Sequence, residues 1–163
     1  MKIEKNILIA INLNFETPFI LRSAASLFRE ASVKFYILHV VPAGAFSFIN
    51  KKKMLQSKTD NARKSVEHEL EEAGLHYLNY EIFVSLGVAA SEILNFSKRI
   101  GIDVITIGTH QRIGFKEFVF GSVSFAVAKN SICPVLLIPL RNIVESTEDE
   151  LAKEPAISLI NPL

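Results

Sequence analysis

The sequence has a single cysteine, Cys133, among 163 residues. No internal disulfide framework can form, and nothing in the cysteine usage points to an oxidising compartment, so the expected location is the cytoplasm. An excess of charge is also missing: 18 Lys and Arg face 17 Asp and Glu, for a formal net charge of +1. Such a balance offers no broad electrostatic footprint to nucleic acid or to an anionic membrane. Long apolar runs are absent as well. The run at residues 7–11 is cut by Asn12 and Asn14, too short for a membrane span and poor for a signal peptide, so neither is expected. His39, His68, His76 and His110 are scattered, and no metal site is implied. No internal repeat appears.

What is present is a chain 49% apolar and 21% charged, with enough hydrophobic side chains to offset chain entropy. At this length one domain is expected, removing about 70% of its unfolded surface from water. The charge is uneven along it. Residues 142–163 carry a net −4, leaving +5 on the first 141, a modestly basic body that suits a small anionic ligand. Helical and strand periodicity end near Arg141. The expected organisation is therefore a domain over residues 1–141 and an acidic C-terminal tail over 142–163.

Residues 6–13 (NILIAINL) are almost continuously apolar, as in a strand covered on both faces inside a parallel sheet. Thr17-Pro18 reads as an N-cap with proline at the first helical position, followed by Leu21, Ala24, Ala25, Phe28 and Ala31 at helical spacing. Residues 33–41 (VKFYILHVV) form a second strand stopped by Pro42. A loop with Phe46 and Phe48 follows, then Lys51 to Lys53 as a solvated start to a helix marked by Leu55, Ala62, Val66, Leu70 and Ala73 and closed by Gly74. Residues 80–86 are the third strand. Ser91 can cap a helix carrying Ile93, Leu94, Ser97 and Ile100, ended by Gly101. Residues 104–108 and 134–140 are the fourth and fifth strands, with a helix from Ser122 to about Asn130 between them. Strands alternating with helices predict an α/β fold: a five-stranded parallel sheet in the order 3-2-1-4-5, with helices on both faces because each crossover is right-handed.

In such a sheet, ligands sit beyond the carboxyl ends of the strands, where the loops after strands one and four converge. The second of these loops reads Gly108-Thr109-His110-Gln111-Arg112-Ile113-Gly114 and returns through Gly121-Ser122-Val123-Ser124 into a helix. Glycine lets backbone amides approach phosphate oxygens, a helix N-terminus presents free N–H groups, and Ser122 adds a hydroxyl. Gly121 and Ser122 would serve equally as a turn and a helix cap, and spacing alone does not choose. His110 has no base, nucleophile or second ligand beside it in the sequence and is assigned no catalysis; His39 reads as a hydrogen-bonded core residue and Cys133 as a packed thiol. The His-x-Gly-His loop of adenylyltransferases, the Ser-Gly-Gly-x-Asp-Ser loop of pyrophosphatase-type ligases and Gly-x-Gly-x-x-Gly after strand one are all missing. Enzyme is thus the weaker class, with weak ATP hydrolysis left open.

Several segments, in order, resemble the universal stress protein family: residues 6–12, LHVV at 38–41, the Gly-x-x-x-x-x-Ile stretch at 87–93, DVITIGTH at 103–110 and GSVSFAVAKNSICPVLLIP at 121–139. The resemblance covers Met1 to about Arg141 and implies an adenine nucleotide α-hydrolase-like fold. Family members that bind ATP carry Gly-x2-Gly-x9-Gly-Ser/Thr, which falls on Gly108, Gln111, Gly121 and Ser122, with Gln111 in place of a glycine. The family's aspartate after strand one corresponds to Asn12, whose amide both donates and accepts.

The resemblance implies an adenine-nucleotide module of the stress response that takes ATP or AMP, with or without magnesium. Adenine would lie near Asn12, Val40 and Ile107, and phosphates on Gly108, Gly121, Ser122 and Ser124, with Thr109, His110, Gln111, Gly114 and Val123 also in the binding site. Strand five presents Val135, Leu136, Leu137 and Ile138 on a sheet edge, and soluble proteins rarely leave such an edge unpaired, so a homodimer through that strand is expected. The alternative reading, resting on Gln111 and Asn12, is a member without nucleotide binding that works as a dimeric protein-interaction module with an unidentified protein partner.

Overall fold

Residues Lys5–Ile11 form strand β1, and all of Ile7 to Ile11 are buried. Alternation along a strand sends successive side chains to opposite faces, so Ile7, Ile9 and Ile11 enter one core and Leu8 and Ala10 another. A strand buried on both faces must lie inside the sheet, and β1 does, parallel to β2 (Val33–Pro42) on one side and to β4 (Val104–Thr109) on the other. The computed structural model describes residues 4–14, 16–29, 32–42, 51–109 and 121–140, with the backbone alone for 51–55. Adding β3 (Tyr80–Gly87) and β5 (Val135–Pro139) gives a five-stranded parallel sheet in the order β3-β2-β1-β4-β5.

Helices cover both faces. On the Ile7 face, α1 (Thr17–Leu27) contributes Ile20, Leu21, Ala24 and Ala25, and α2 (Lys51–Glu72) contributes Val66 and Leu70. On the Leu8 face, α3 (Ala89–Ile100) contributes Ile93 and Phe96, and α4 (Ser122–Asn130) contributes Val127. Phe96 meets Phe83 edge-to-face with ring centroids 4.8 Å apart, seating α3 over β3. Gly101 closes α3 at φ 71°, a left-handed conformation that lets its N–H and that of Ile102 both return to the Ser97 carbonyl.

The elements agree with expectation to within a residue or two at most boundaries, but the helix starts differ. Thr17 opens α1 rather than capping it; Glu16 holds the cap position, and Thr17 Oγ1 instead accepts the Asn14 N–H at 3.1 Å. Ser91 is exposed inside the first turn of α3, whose cap is Val88 in extended conformation. Ser122 is the first residue of α4, as expected, with Gly121 as its cap. In the first two cases the helix begins earlier than cap preference predicts. Helix α1 also stops at Leu27 with Phe28 as its C-cap. Ala31, Phe46, Phe48, His110, Gln111, Gly114 and the tail at 142–163 lie outside the described residues, as do the side chains of Lys51 to Lys53 and Leu55.

Candidate functional site

The sheet order reverses direction at β1, so the chain leaves β1 toward one face and β4 toward the other, opening a crevice at their carboxyl ends. After β1 come Asn12, Leu13 and Asn14. Leu13 adopts φ 30°, a left-handed backbone that costs a residue with a Cβ about 1 kcal/mol. The turn is held by a compact set of bonds: Asn14 Nδ2 donates to Glu16 Oε2 at 2.8 Å, the Glu16 N–H to Asn14 Oδ1 at 3.3 Å, and the Thr17 N–H to the Asn14 carbonyl at 3.0 Å. The Glu16 carbonyl then accepts from Phe19 and Ile20 and starts α1.

Across the crevice, β4 ends at Gly108-Thr109. A Cβ on Gly108 would stand 2.8 Å from Ile20 Cδ1 and 2.9 Å from Leu140 Cδ1, so a larger residue there would have to displace both side-chain ends. Leu140 is drawn in by its N–H bond to the Thr109 carbonyl at 3.1 Å. Helix α4 enters from Gly121. Among the described residues no side chain caps it, and its first turn of N–H groups has no partner within the helix. The Ser124 hydroxyl is buried and bonds the Gly121 carbonyl at 3.0 Å, with Thr109 Oγ1 at 3.5 Å, whereas Ser122 is exposed.

These elements enclose a cavity of about 270 Å³, near the lower end of the range typical of small-molecule sites. Of the residues singled out in the sequence, it gathers Asn12, Val40, Ile107, Gly108, Gly121, Ser122, Val123 and Ser124. Thr109 is not in the wall; it lies buried behind it. Leu38, Val40, Ala89, Ile93 and Ile107 give the cavity an apolar lining, and residues 121–124 at the α4 N-terminus line it as well. Sequence reasoning missed Asn14, Glu16, Ile20 and Leu140 in the wall. Only the place of Asn14 and Glu16 just after strand one could have signalled them.

His39 lies beneath the β1 end, half-buried, with Nδ1 at 3.3 Å from the Ile11 carbonyl. A carbonyl can only accept, so Nδ1 carries the hydrogen. Burial lowers its pKa, and the Ile11 bond opposes this only in part. Cys133 is half-buried against the α4 core, its Sγ 3.4 Å from Ser131 Oγ. A second, more open hollow of about 340 Å³ between α2 and β3 is lined by Arg63, Glu67 and residues 80–83 and has no helix N-terminus in its wall. Among the described residues, no three His, Cys, Asp or Glu side chains could hold a metal ion together, and no helix is long and apolar enough to cross a membrane.

The profile of the universal stress protein family matches residues 4–139. The chain belongs to the universal stress protein family. It is 37% identical over 75 residues to universal stress protein YxiE of Bacillus subtilis, covering 46% of this chain and 51% of that protein. Universal stress protein MJ0531 of Methanocaldococcus jannaschii is 30% identical over 126 residues, covering 72% and 71%. With MJ0577 of the same organism the identity is 30% over 91 residues, 56% of this chain and 54% of that one. The chain thus spans about half the length of YxiE and of MJ0577. The solved structure of MJ0577 superposes with a TM-score of 0.68 at 22% identity over 83% of this chain and 95% of that one. Two universal stress proteins solved with nucleotides also share the fold. The Archaeoglobus fulgidus protein in complex with dAMP has a TM-score of 0.58 at 19% identity, covering 85% and 99%. A complex with cAMP has a TM-score of 0.56 at 13% identity, covering 83% and 97%.

Proposed function

We propose that this chain is an adenine-nucleotide-binding module of the stress response, taking ATP or AMP without a dedicated catalytic apparatus. The observation that carries the reading is one cavity lined by two kinds of group: apolar side chains at Leu38, Val40, Ile93 and Ile107, and a helix N-terminus at Gly121-Ser122 that no side chain among the described residues caps. A purine base suits the first and a phosphate the second. Val40 and Ile107 are on the base side with Asn12 at its rim, and Gly108, Gly121, Ser122 and Val123 face the phosphates. Ser124 supports that end through its bond to Gly121. Magnesium, where present, would accompany the phosphates. The dAMP and cAMP complexes of other family members support the same ligand class.

The module is a cytoplasmic domain closing near Arg141, with the acidic segment at 142–163 beyond it. It forms a homodimer through β5, the outer strand next to β4. Leu136 supports this: it is half-buried on that edge and belongs to neither core, unlike Val135, Leu137 and Ile138.

Mass spectrometry of small molecules released from the heat-denatured, purified protein is expected to find an adenine nucleotide. Calorimetry should then show Ser122→Ala weakening its binding by about 1–2 kcal/mol, one hydrogen bond to a charged group. A protein that releases no nucleotide and binds neither ATP nor AMP would sink the reading and favour the module that works through protein contacts alone.

A further inference from the structure

Strand β3 ends the sheet, with β2 as its neighbour. The Phe35 N–H bonds the Asn79 carbonyl at 2.9 Å, and Phe35 is in register with Tyr80. In a parallel ladder both main-chain groups of a residue face the same side, alternating along the strand, so Glu81, Phe83 and Ser85 direct theirs to β2. Those of Tyr80, Ile82, Val84 and Leu86 face outward, and among the described residues no strand pairs with them. Proline, lysine or a bulge commonly blunts such an edge. The β3 sequence YEIFVSLG has neither proline nor lysine.

Beside this edge lies the second hollow, of about 340 Å³, separate from the crevice at the β1 and β4 ends. Its wall takes four consecutive residues of β3, Tyr80 to Phe83. Their side chains alternate between the two faces, so the hollow opens on the edge of the strand rather than on one face. Arg63 and Glu67 of α2 complete the wall. Both are exposed, and among the described residues neither side chain has an ion-pair or hydrogen-bond partner, although their spacing allows a helical pair. Glu81, by contrast, is paired with Lys34. The hollow thus offers unpaired main-chain groups on one wall and two opposite charges on the other.

An extended peptide meets both. Added to β3 as a strand, it presents every second side chain to α2, about 7 Å apart, while Arg63 and Glu67 are about 6 Å apart along the helix. Helix α2 leads from the carboxyl end of β2 back to the amino end of β3, so it runs against β3, and Arg63 lies nearer the carboxyl end of that strand. A peptide antiparallel to β3, the more stable pairing, then sets an acidic residue at Arg63 and, two residues later, a basic one at Glu67.

We propose that the β3 edge and α2 form a docking groove for an extended segment of a partner protein with the pattern acidic-x-basic, bound by strand addition antiparallel to β3. The groove is independent of the crevice, and this inference does not rest on the nucleotide reading.

The test is fluorescence anisotropy of two labelled, capped heptapeptides titrated with the full chain: Thr-Val-Glu-Val-Lys-Val-Thr and the charge-reversed Thr-Val-Lys-Val-Glu-Val-Thr. They share composition and strand preference and differ only in charge order. The first is expected to bind about fivefold more tightly at low salt and to lose most of that advantage in about 1 M salt. The double variant Arg63→Glu with Glu67→Arg should reverse the preference. Val84→Pro removes an outward N–H that β2 does not use, a change that an edge strand tolerates. It should weaken both peptides about tenfold at a urea midpoint near that of wild type. If Val84→Pro does not fold, the double variant decides alone. Failure of both peptides to bind at about 1 mM, equal binding, preference for the reversed peptide, an unreversed preference in the double variant, or full affinity in folded Val84→Pro each overturns the proposal.

Discussion

Gly108 lies directly against Ile20, so close that a Cβ on the glycine would stand 2.8 Å from Ile20 Cδ1. Leu140 Cδ1 closes the other side at 2.9 Å. Gly108→Ala is expected to destabilise the fold by about 1 kcal/mol in urea denaturation, because both terminal methyl groups, which border the cavity, must move. Shortening the neighbour with Ile20→Val should recover part of that loss. A double-mutant cycle with no coupling between the two positions would show that the contact is not the source.

Thr106 is fully buried in β4, and its Oγ1 has no hydrogen-bond partner among the described residues. Replacing the hydroxyl by a methyl removes an unsatisfied polar group at nearly constant volume. Thr106→Val is expected to stabilise the protein by about 1 kcal/mol. A lower urea midpoint in the variant would count against this account.

Asp103 clips the start of β4 to the start of β1, accepting the Asn6 N–H at 2.9 Å and the Lys5 ammonium at 2.9 Å. The Asn6 N–H, and after it Lys5, hold its carboxyl below the usual carboxylate range. The folded state therefore favours the ionised form, and the stabilisation is fully present above about pH 5 and lost as pH falls through the lowered folded value. The clip is partly exposed, which limits it to roughly 0.5–1 kcal/mol. Asp103→Asn should lower the urea midpoint at pH 7 and flatten the acid limb of stability against pH. An equally steep limb in the variant would assign that limb to other groups.

Leu136→Lys is expected to convert a dimer to a monomer at micromolar concentration by light scattering, with a melting temperature close to that of wild type at high dilution, where both are monomers. Leu136 belongs to neither core, so the fold should tolerate the charge. Leu137 packs on the α3 and α4 core, and a lysine there would unfold as readily as dissociate. A wild-type monomer mass, or an unchanged mass in the variant, would remove strand five as the interface.

The fold was legible because burial on two faces leaves a mark in composition: Ile7 to Ile11 in β1 and Phe35 to Leu38 in β2 read as strands without help from their neighbours. The α4 side of the cavity lining was legible for a similar reason, since glycine next to serine at a helix start is a local pattern. Glu16 was not. A carboxylate looks like surface in any sequence window, and its burial depends on Asn14, Ile20 and β4 arriving together. Gly108 has a second reason to be glycine that no sequence window shows: a Cβ there would meet the terminal methyl groups of Ile20 and Leu140. The helix caps failed at Thr17 and Ser91 because preference for a cap is weaker than the packing that fixes where a helix enters.

The Asn6–Asp103 bond joins positions 97 residues apart in sequence, while β1, β2 and β3 follow one another and pair in chain order. Closing the longer loop costs more chain entropy, so pairing of the first three strands is expected to precede the β1–β4 seam. The cavity straddles that seam, with Asn12 and Glu16 on the early side and Gly108 and Gly121 on the late one. A small molecule held there works as a latch on a finished assembly: it leaves the pace of the early strands untouched and slows the unzipping of the late ones.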